Sequence, residues 1–190
     1  MHSLQQNRQK TAVYLTPSKQ ESEPAKPIWI GSPFSENRDP NIGDNYAEKR
    51  YILVLDMDET LLHFDPRRRS YFSRPYVHDF LRDMSKYYEL VVFTAGLREY
   101  ANILLDDFDK EGLITRRLFR EHCTFRRGVY LKDLTKVSRD LTRIVIVDNL
   151  PDNYQLQQEN GIPIKTWMND NPHDSELPRL GHILRDFAEQ

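Results

Sequence analysis

Tyr51-Ile52-Leu53-Val54-Leu55-Asp56-Met57-Asp58-Glu59-Thr60 decides how this chain is read. Its apolar residues run without a break and end at an acid. That is the pattern of a strand buried on both faces of a parallel sheet, delivering a charged group at its carboxyl end. Leu90-Val91-Val92-Phe93, followed by Thr94, repeats the pattern, and so does Ile144-Val145-Ile146-Val147, followed by Asp148 and Asn149. Between the first two runs, Val77, Phe80, Leu81 and Met84 fall at helical spacing. After the second, Tyr100, Leu104 and Phe108 recur beside Leu97, Ala101 and Leu105 on one helical face. The alternation predicts an α/β fold around a parallel sheet.

Working outward, residues 119–131, with Arg126-Arg127-Gly128 at their middle, read as a short hairpin or an irregular extended segment. Gly161-Ile162-Pro163-Ile164 reads as an edge strand, where the missing proline donor does least harm. Leu177 to Phe187 reads as a closing helix with Pro178 in its first turn. Residues 1–48 are polar and punctuated by Pro17, Pro24, Pro27, Pro33 and Pro40, too poor in apolar residues to offset the entropy of ordering. They are expected to be a tail, with Pro27-Ile28-Trp29-Ile30 as an apolar patch suited to lying on the domain surface. The domain itself is expected to span residues 49–190.

The bulk numbers narrow the function. A chain of 190 residues has room for one domain and a tail. A net charge of −2 with scattered basic residues gives little counterion-release drive, so no direct nucleic-acid binding is expected. Cys123 is the only cysteine, which excludes an intramolecular disulfide and a cysteine-based zinc site and suits a reducing compartment. No apolar stretch approaches the ~20 residues of a membrane span, so no membrane segment is expected. An intracellular monomer, in the nucleus or the cytoplasm, is the expectation. The histidines show no metal-ligand spacing and read as structural or surface residues.

Ligands of open α/β sheets gather at the carboxyl ends of the strands. Asp56 and Asp58 lie two apart in extended chain, so their side chains emerge on the same side. By itself the pair reads more readily as a charged strand end in solvent. Together with Asn149 and backbone carbonyls, it supplies the hard oxygen ligands that magnesium takes. Thr94 and Lys132 add a hydroxyl donor and a positive charge, the groups that hold and neutralise phosphoryl oxygens. Alone, Thr94 would read as a helix cap and Lys132 as a surface lysine.

Asp-x-Asp-x-Thr at 56–60, then Thr94, Lys132 and Asp148-Asn149, resemble in their order the haloacid dehalogenase superfamily. Asp56-Met57-Asp58-Glu59-Thr60-Leu61-Leu62-His63, Phe93-Thr94-Ala95, Tyr100-Ala101, Phe119-Arg120-Glu121, Lys132-Asp133-Leu134, Arg139-Asp140-Leu141 and Val147-Asp148-Asn149 narrow the resemblance. They are similar to the small phosphatases of the RNA polymerase II C-terminal domain, the Dullard-like family. The resemblance covers about residues 50–187.

It implies a Rossmann-like parallel central sheet with helices on both faces and no large cap domain. It also implies a magnesium-dependent phosphatase acting on phosphoserine or phosphothreonine in a protein. Asp56 would be the nucleophile that carries the phosphoryl group. Asp58 would be the general acid and then base, its backbone carbonyl also binding the metal. Thr94 would bond a phosphoryl oxygen, Asn149 would ligate magnesium, and Asp148 would orient Lys132 or the metal's hydration shell. Thr60 would brace the nucleophile loop and stands with Tyr100 and Arg120 among the expected substrate-side residues. Two other readings remain open: a phosphatase of small phosphomonoesters, and a catalytically silent adaptor on the same fold.

The chain departs from the family pattern in two places. Only residues 63–76 separate the first motif from the next helix, leaving little room for the strand-rich insertion that reads proline in the substrate, and none for a cap over the site. Arg67-Arg68-Arg69 in this stretch reads as a solvated turn more readily than as a guide for acidic substrate. Leu150 stands where the family commonly has a serine after Asp-Asn, a change expected at the rim of the site.

Overall fold

The computed structural model describes residues 51–190. The expected tail over residues 1–48, with its patch around Trp29, lies outside the described residues. Elements are numbered in chain order. Strand β1 (Tyr51–Leu55) is the centre of a five-stranded sheet. It pairs in parallel with β4 (Tyr88–Phe93) on one side and β8 (Ile144–Asp148) on the other. β5 (Ile114–Leu118) and β9 (Gly161–Pro163), both parallel, are the two edges. Pro163 therefore sits on an edge strand, as its missing donor requires.

Side-chain alternation divides each central strand between two cores. Leu53, Leu55, Leu90, Val92 and Val147 face one cluster, while Val54, Val91, Phe93, Ile144 and Ile146 face the other. The first cluster takes the buried faces of helices α1 (Val77–Met84), α2 (Arg98–Phe108) and α3 (Glu176–Ala188). The second is closed by Leu134, Val137 and Tyr154, carried in and beside the 3-10 segments Leu134–Lys136 and Pro151–Asn160. Helical segments thus cover both faces, α-helical on one and 3-10 on the other. At Gly161 the Tyr154 ring is so close that a Cβ would fall 2.0 Å from it, so only glycine fits there.

Residues 63–76 correct one expectation, because this stretch does build strands. β2 (Leu62–Asp65) and β3 (Ser70–Ser73) form an antiparallel hairpin. Asp65 Oδ1 accepts the N–H groups of Arg67 and Arg68 at 2.9 and 3.2 Å, which closes the turn without glycine. Arg67, Arg68 and Arg69 are exposed at its tip. With four residues per strand, it is a small side wall and not a cap. A second hairpin, β6 (Thr124–Arg126) and β7 (Val129–Leu131), turns through Arg127 and Gly128, both at positive φ. That two-residue left-handed turn matches strand twist, and β7 leads directly into Lys132.

Candidate active site

Asp56, Thr94 and Asp148 arrive at one crevice because β1, β4 and β8 are parallel neighbours and end together. After β1 the chain makes a tight loop in which the Met57 carbonyl accepts the N–H groups of Thr60, Leu61 and Leu62. Glu59 is forced to φ 59° in this loop, an uncommon conformation for a residue with a side chain. Its carbonyl accepts the Trp167 N–H at 2.9 Å, which fixes the loop against the segment after β9.

Lys132 lies fully buried between two carboxylates. Its Nζ donates to Asp56 Oδ1 and, at 2.6 Å, to Asp148 Oδ2. Burial works against the ammonium, but the two carboxylates overcome that and hold its pKa above the ordinary lysine value. Asp148 is fixed in turn by the Leu150 N–H at 2.8 Å and by the Asn153 amide at 3.3 Å. Burial pushes the Asp56 carboxyl up, to about 7, with Lys132 pulling down and the Asp148 and Asp58 charges adding repulsion.

Asp58 occupies a different environment. Its Oδ1 accepts the Tyr100 hydroxyl at 2.6 Å and its Oδ2 the Thr94 hydroxyl at 3.4 Å, and no cation among the described residues touches it. Burial raises its pKa, while the hydrogen bond from Tyr100 opposes the rise. Thr94 is also pinned by the Gly96 N–H, which donates to its Oγ1 at 2.9 Å. Tyr100 sits at the inner edge of α2 with its ring edge-on to Phe64 at 5.5 Å between centroids, so the side-wall hairpin supports it. Its hydroxyl reaches the site and is not absorbed into the core.

Arg120 is half-buried. Its Nε donates to the Ala95 carbonyl at 2.6 Å and its guanidinium lies over the Tyr130 ring at 5.0 Å. It is held at the edge of the crevice by these two contacts, whereas the neighbouring Glu121 pairs with Arg98. Thr60 corrects the expectation of a substrate contact. It is completely buried, and its hydroxyl donates to Asp56 Oδ2 at 2.9 Å, leaving no surface for a ligand. Bracing the loop after β1 is the role its position allows.

The expected metal ligands fit a hard cation. The Thr60 hydroxyl is 2.9 Å from Asp56 Oδ2 and 3.4 Å from Asn149 Oδ1, so these two oxygens converge on one place. The Asn149 amide nitrogen is turned away to Thr166 Oγ1 at 3.1 Å, which aims the oxygen inward. A carboxylate, an amide oxygen and a backbone carbonyl are a magnesium-type set. Among the described residues no cluster of three or more His, Cys, Asp or Glu side chains offers a competing site.

Two supports were not visible in the sequence. Arg74 is 1% exposed and forks onto Asp174 at 2.8 and 3.0 Å. It also donates to the Thr60 carbonyl at 3.1 Å and the Lys165 carbonyl at 2.9 Å, tying the loop after β1 to the C-terminal segment. Asn153, besides holding Asp148, gives its carbonyl to the Lys132 N–H at 2.6 Å. An arginine before Pro75 and an asparagine in a polar turn carry no local signal of these partners.

Comparison with known proteins agrees with this geometry. Residues 51–190 match the model of the NLI interacting factor-like phosphatases. The human carboxy-terminal domain RNA polymerase II polypeptide A small phosphatase 1 is 40% identical over 159 residues, covering 74% of this chain and 59% of that protein. The chain thus spans about three fifths of the length of such relatives. The CTD nuclear envelope phosphatase 1 of Xenopus laevis is 38% identical over 180 residues, covering 80% of this chain and 71% of that protein. The solved structure of Fcp1, an essential RNA polymerase II CTD phosphatase, superposes with a TM-score of 0.63 at 18% identity, over 74% of this chain and 63% of its own, which shows the shared fold. The chain belongs to the NLI interacting factor-like phosphatase family.

Proposed function

We propose that this protein is a magnesium-dependent phosphatase of phosphoserine and phosphothreonine in proteins, working through an aspartyl-phosphate on Asp56. The observation that carries the reading is the separation of two neighbouring carboxylates into two environments. Asp56 is gripped by Lys132 and Thr60, while Asp58 is half-buried against two hydroxyls with no cation in contact among the described residues. Such a pair divides naturally into nucleophile and proton donor.

Attack of Asp56 on a phosphate meets repulsion of about 4 kcal/mol per pair of unit charges at 4 Å and an effective dielectric of 20. Lys132, held by Asp148, offsets part of that. Magnesium, held by Asp56, the Asp58 carbonyl and Asn149, supplies further charge neutralisation when bound. A bond forms from Asp56 to phosphorus as the bond to the serine or threonine oxygen breaks, and Asp58 gives that oxygen its proton. In the second step the Asp58 carboxylate takes a proton from water, water attacks phosphorus, and the bond to Asp56 breaks. The Thr94 hydroxyl and Arg120 hold the phosphorylated residue.

The hairpin β2–β3 walls one side of the site without covering it, which suits a phosphate carried on a polypeptide. The relatives' names support the RNA polymerase II C-terminal domain as a candidate substrate and the nucleus as a candidate compartment. No helix among the described residues is long and apolar enough to cross a membrane. The test compares kcat/KM with magnesium on free phosphoserine, an aryl phosphate and phosphopeptides. A clear preference for peptide is expected. Equal rates on free phosphoserine would move the assignment to small phosphomonoesters, and no phosphate release from any of them would leave a silent adaptor.

A further inference from the structure

Beside the catalytic crevice runs a groove of about 470 Å³, lined by Ala95, Val129, Tyr130, Leu150, Pro151 and Asn153 among others. Its volume lies in the range of pockets that hold a bound group. Both of its walls grow out of the site. Ala95 follows Thr94, Leu150 follows Asn149, and the strand carrying Val129 and Tyr130 runs into Lys132. The walls are also firmly held: the Leu150 N–H is on Asp148, the Leu150 carbonyl accepts the Asn153 N–H at 3.0 Å, and the Asn153 carbonyl accepts the Lys132 N–H. Arg120 lies across Tyr130 and Ala95 between groove and crevice.

Leu150 is 53% exposed although both its backbone groups are engaged. A lone exposed leucine needs no explanation. This one shares a concave surface with Val129, Pro151 and Ala95, one residue from a metal ligand, and the turn itself makes no use of its side chain. Asp152 at the lip adds a negative charge.

Resting on the phosphatase reading above, the geometry points to a specificity subsite: this groove takes an apolar side chain of the substrate polypeptide within a residue or two of the phosphoresidue, with Leu150 as its main contact. Continuity with the phosphate site selects the occupant. A chain whose phosphate is at Asp56 must leave the crevice over one of its walls, and this wall is apolar and preformed. Asp152 disfavours an acidic residue at the same place. The subsite stands on the side of the crevice away from the β2–β3 hairpin, so it does not depend on that hairpin reading proline.

The test uses the full chain with magnesium and phosphoserine peptides of an alanine background, with leucine walked through the three positions on either side. One register should exceed the alanine peptide in kcat/KM by about tenfold, the effect of one well-buried apolar side chain, and glutamate there should fall below alanine. Leu150→Ser should bring the leucine preference below about twofold while aryl phosphate hydrolysis and thermal unfolding stay unchanged. Val129→Thr, on the opposite wall, is the second variant and should also reduce it. A flat profile with the aryl phosphate still hydrolysed overturns the subsite alone, as does a preference that survives both substitutions. Loss of aryl phosphate hydrolysis in the unaltered protein overturns the phosphatase reading beneath it.

Discussion

Replacing Arg74 by methionine should be among the most damaging single changes outside the reacting groups. The guanidinium is buried and makes four hydrogen bonds: two to Asp174 and one each to the Thr60 and Lys165 carbonyls. Its loss leaves the Asp174 carboxylate, only 5% exposed, without its counter-charge, and two carbonyls without this donor. Breaking a buried pair from one side costs about 3–5 kcal/mol, and an orphaned carbonyl adds about 1 kcal/mol or more, not additively. That is a large part of the about 5–15 kcal/mol that holds a typical domain. The double variant Arg74→Met/Asp174→Leu removes both charges and should recover much of the loss. Urea unfolding of the wild type, both single variants and the double variant measures the coupling. Because the Thr60 carbonyl is one of the four acceptors, kcat should fall in Arg74→Met at a urea concentration where the protein remains folded. A single-variant cost below about 1 kcal/mol, or a double variant no better than Arg74→Met, would refute the reasoning.

The same pair fixes an acid limb of stability. Burial raises the Asp174 pKa, but its hydrogen bond and ion pair with Arg74 win and hold it below the usual carboxylate range. A depressed folded pKa contributes stability above the unfolded value, lost as pH falls through the folded one. The midpoint of acid unfolding should therefore move to higher pH in Arg74→Met. Lys132→Met should lower kcat by about 10²–10³-fold, the usual effect of removing one charge-stabilising donor, and a loss under tenfold in steady-state kinetics would remove Lys132 from the mechanism. For Asp58, burial raises the pKa while the Tyr100 hydroxyl opposes the rise. With Asp58 as the proposed acid, activity should fall as pH rises through its pKa, and Tyr100→Phe should shift this alkaline limb of kcat/KM upward; a downward shift contradicts the assignment. Gly161→Ala places a Cβ against the Tyr154 ring and should cost about 1–3 kcal/mol in urea unfolding, as overpacking does.

What the sequence made legible follows from what is local. Strands β1, β4 and β8 are buried on both faces, so their residues form unbroken apolar runs, and the candidate site residues sit at the ends of those runs. α1 and α2 show their buried stripes at helical spacing, and Pro163 marks its own edge. β5 was not legible because an edge strand tolerates polar side chains: Arg116 pairs with Glu89 and Arg117 with Asp106, hiding the alternation. The hairpin β2–β3 gave no signal because an aspartate closes its turn in place of a glycine pair. The 3-10 segment Pro151–Asn160 buries little beyond Asn153 and Tyr154, so it has no period to detect. Arg74 meets Asp174 across 100 residues of chain, and no local pattern announces such a partner. Thr60 stands in the motif after β1, but its complete burial depends on packing that a motif does not contain.

In the proposed mechanism the phosphoryl group passes through Asp56. Acid-quenching the protein during turnover of a phosphopeptide and reducing the trapped acyl-phosphate with borohydride converts the labelled aspartate to homoserine, which mass spectrometry locates. Homoserine is expected at position 56 and nowhere else, with none in Asp56→Asn. Label at another residue, or steady phosphate release with no trapped acyl-phosphate, would contradict it.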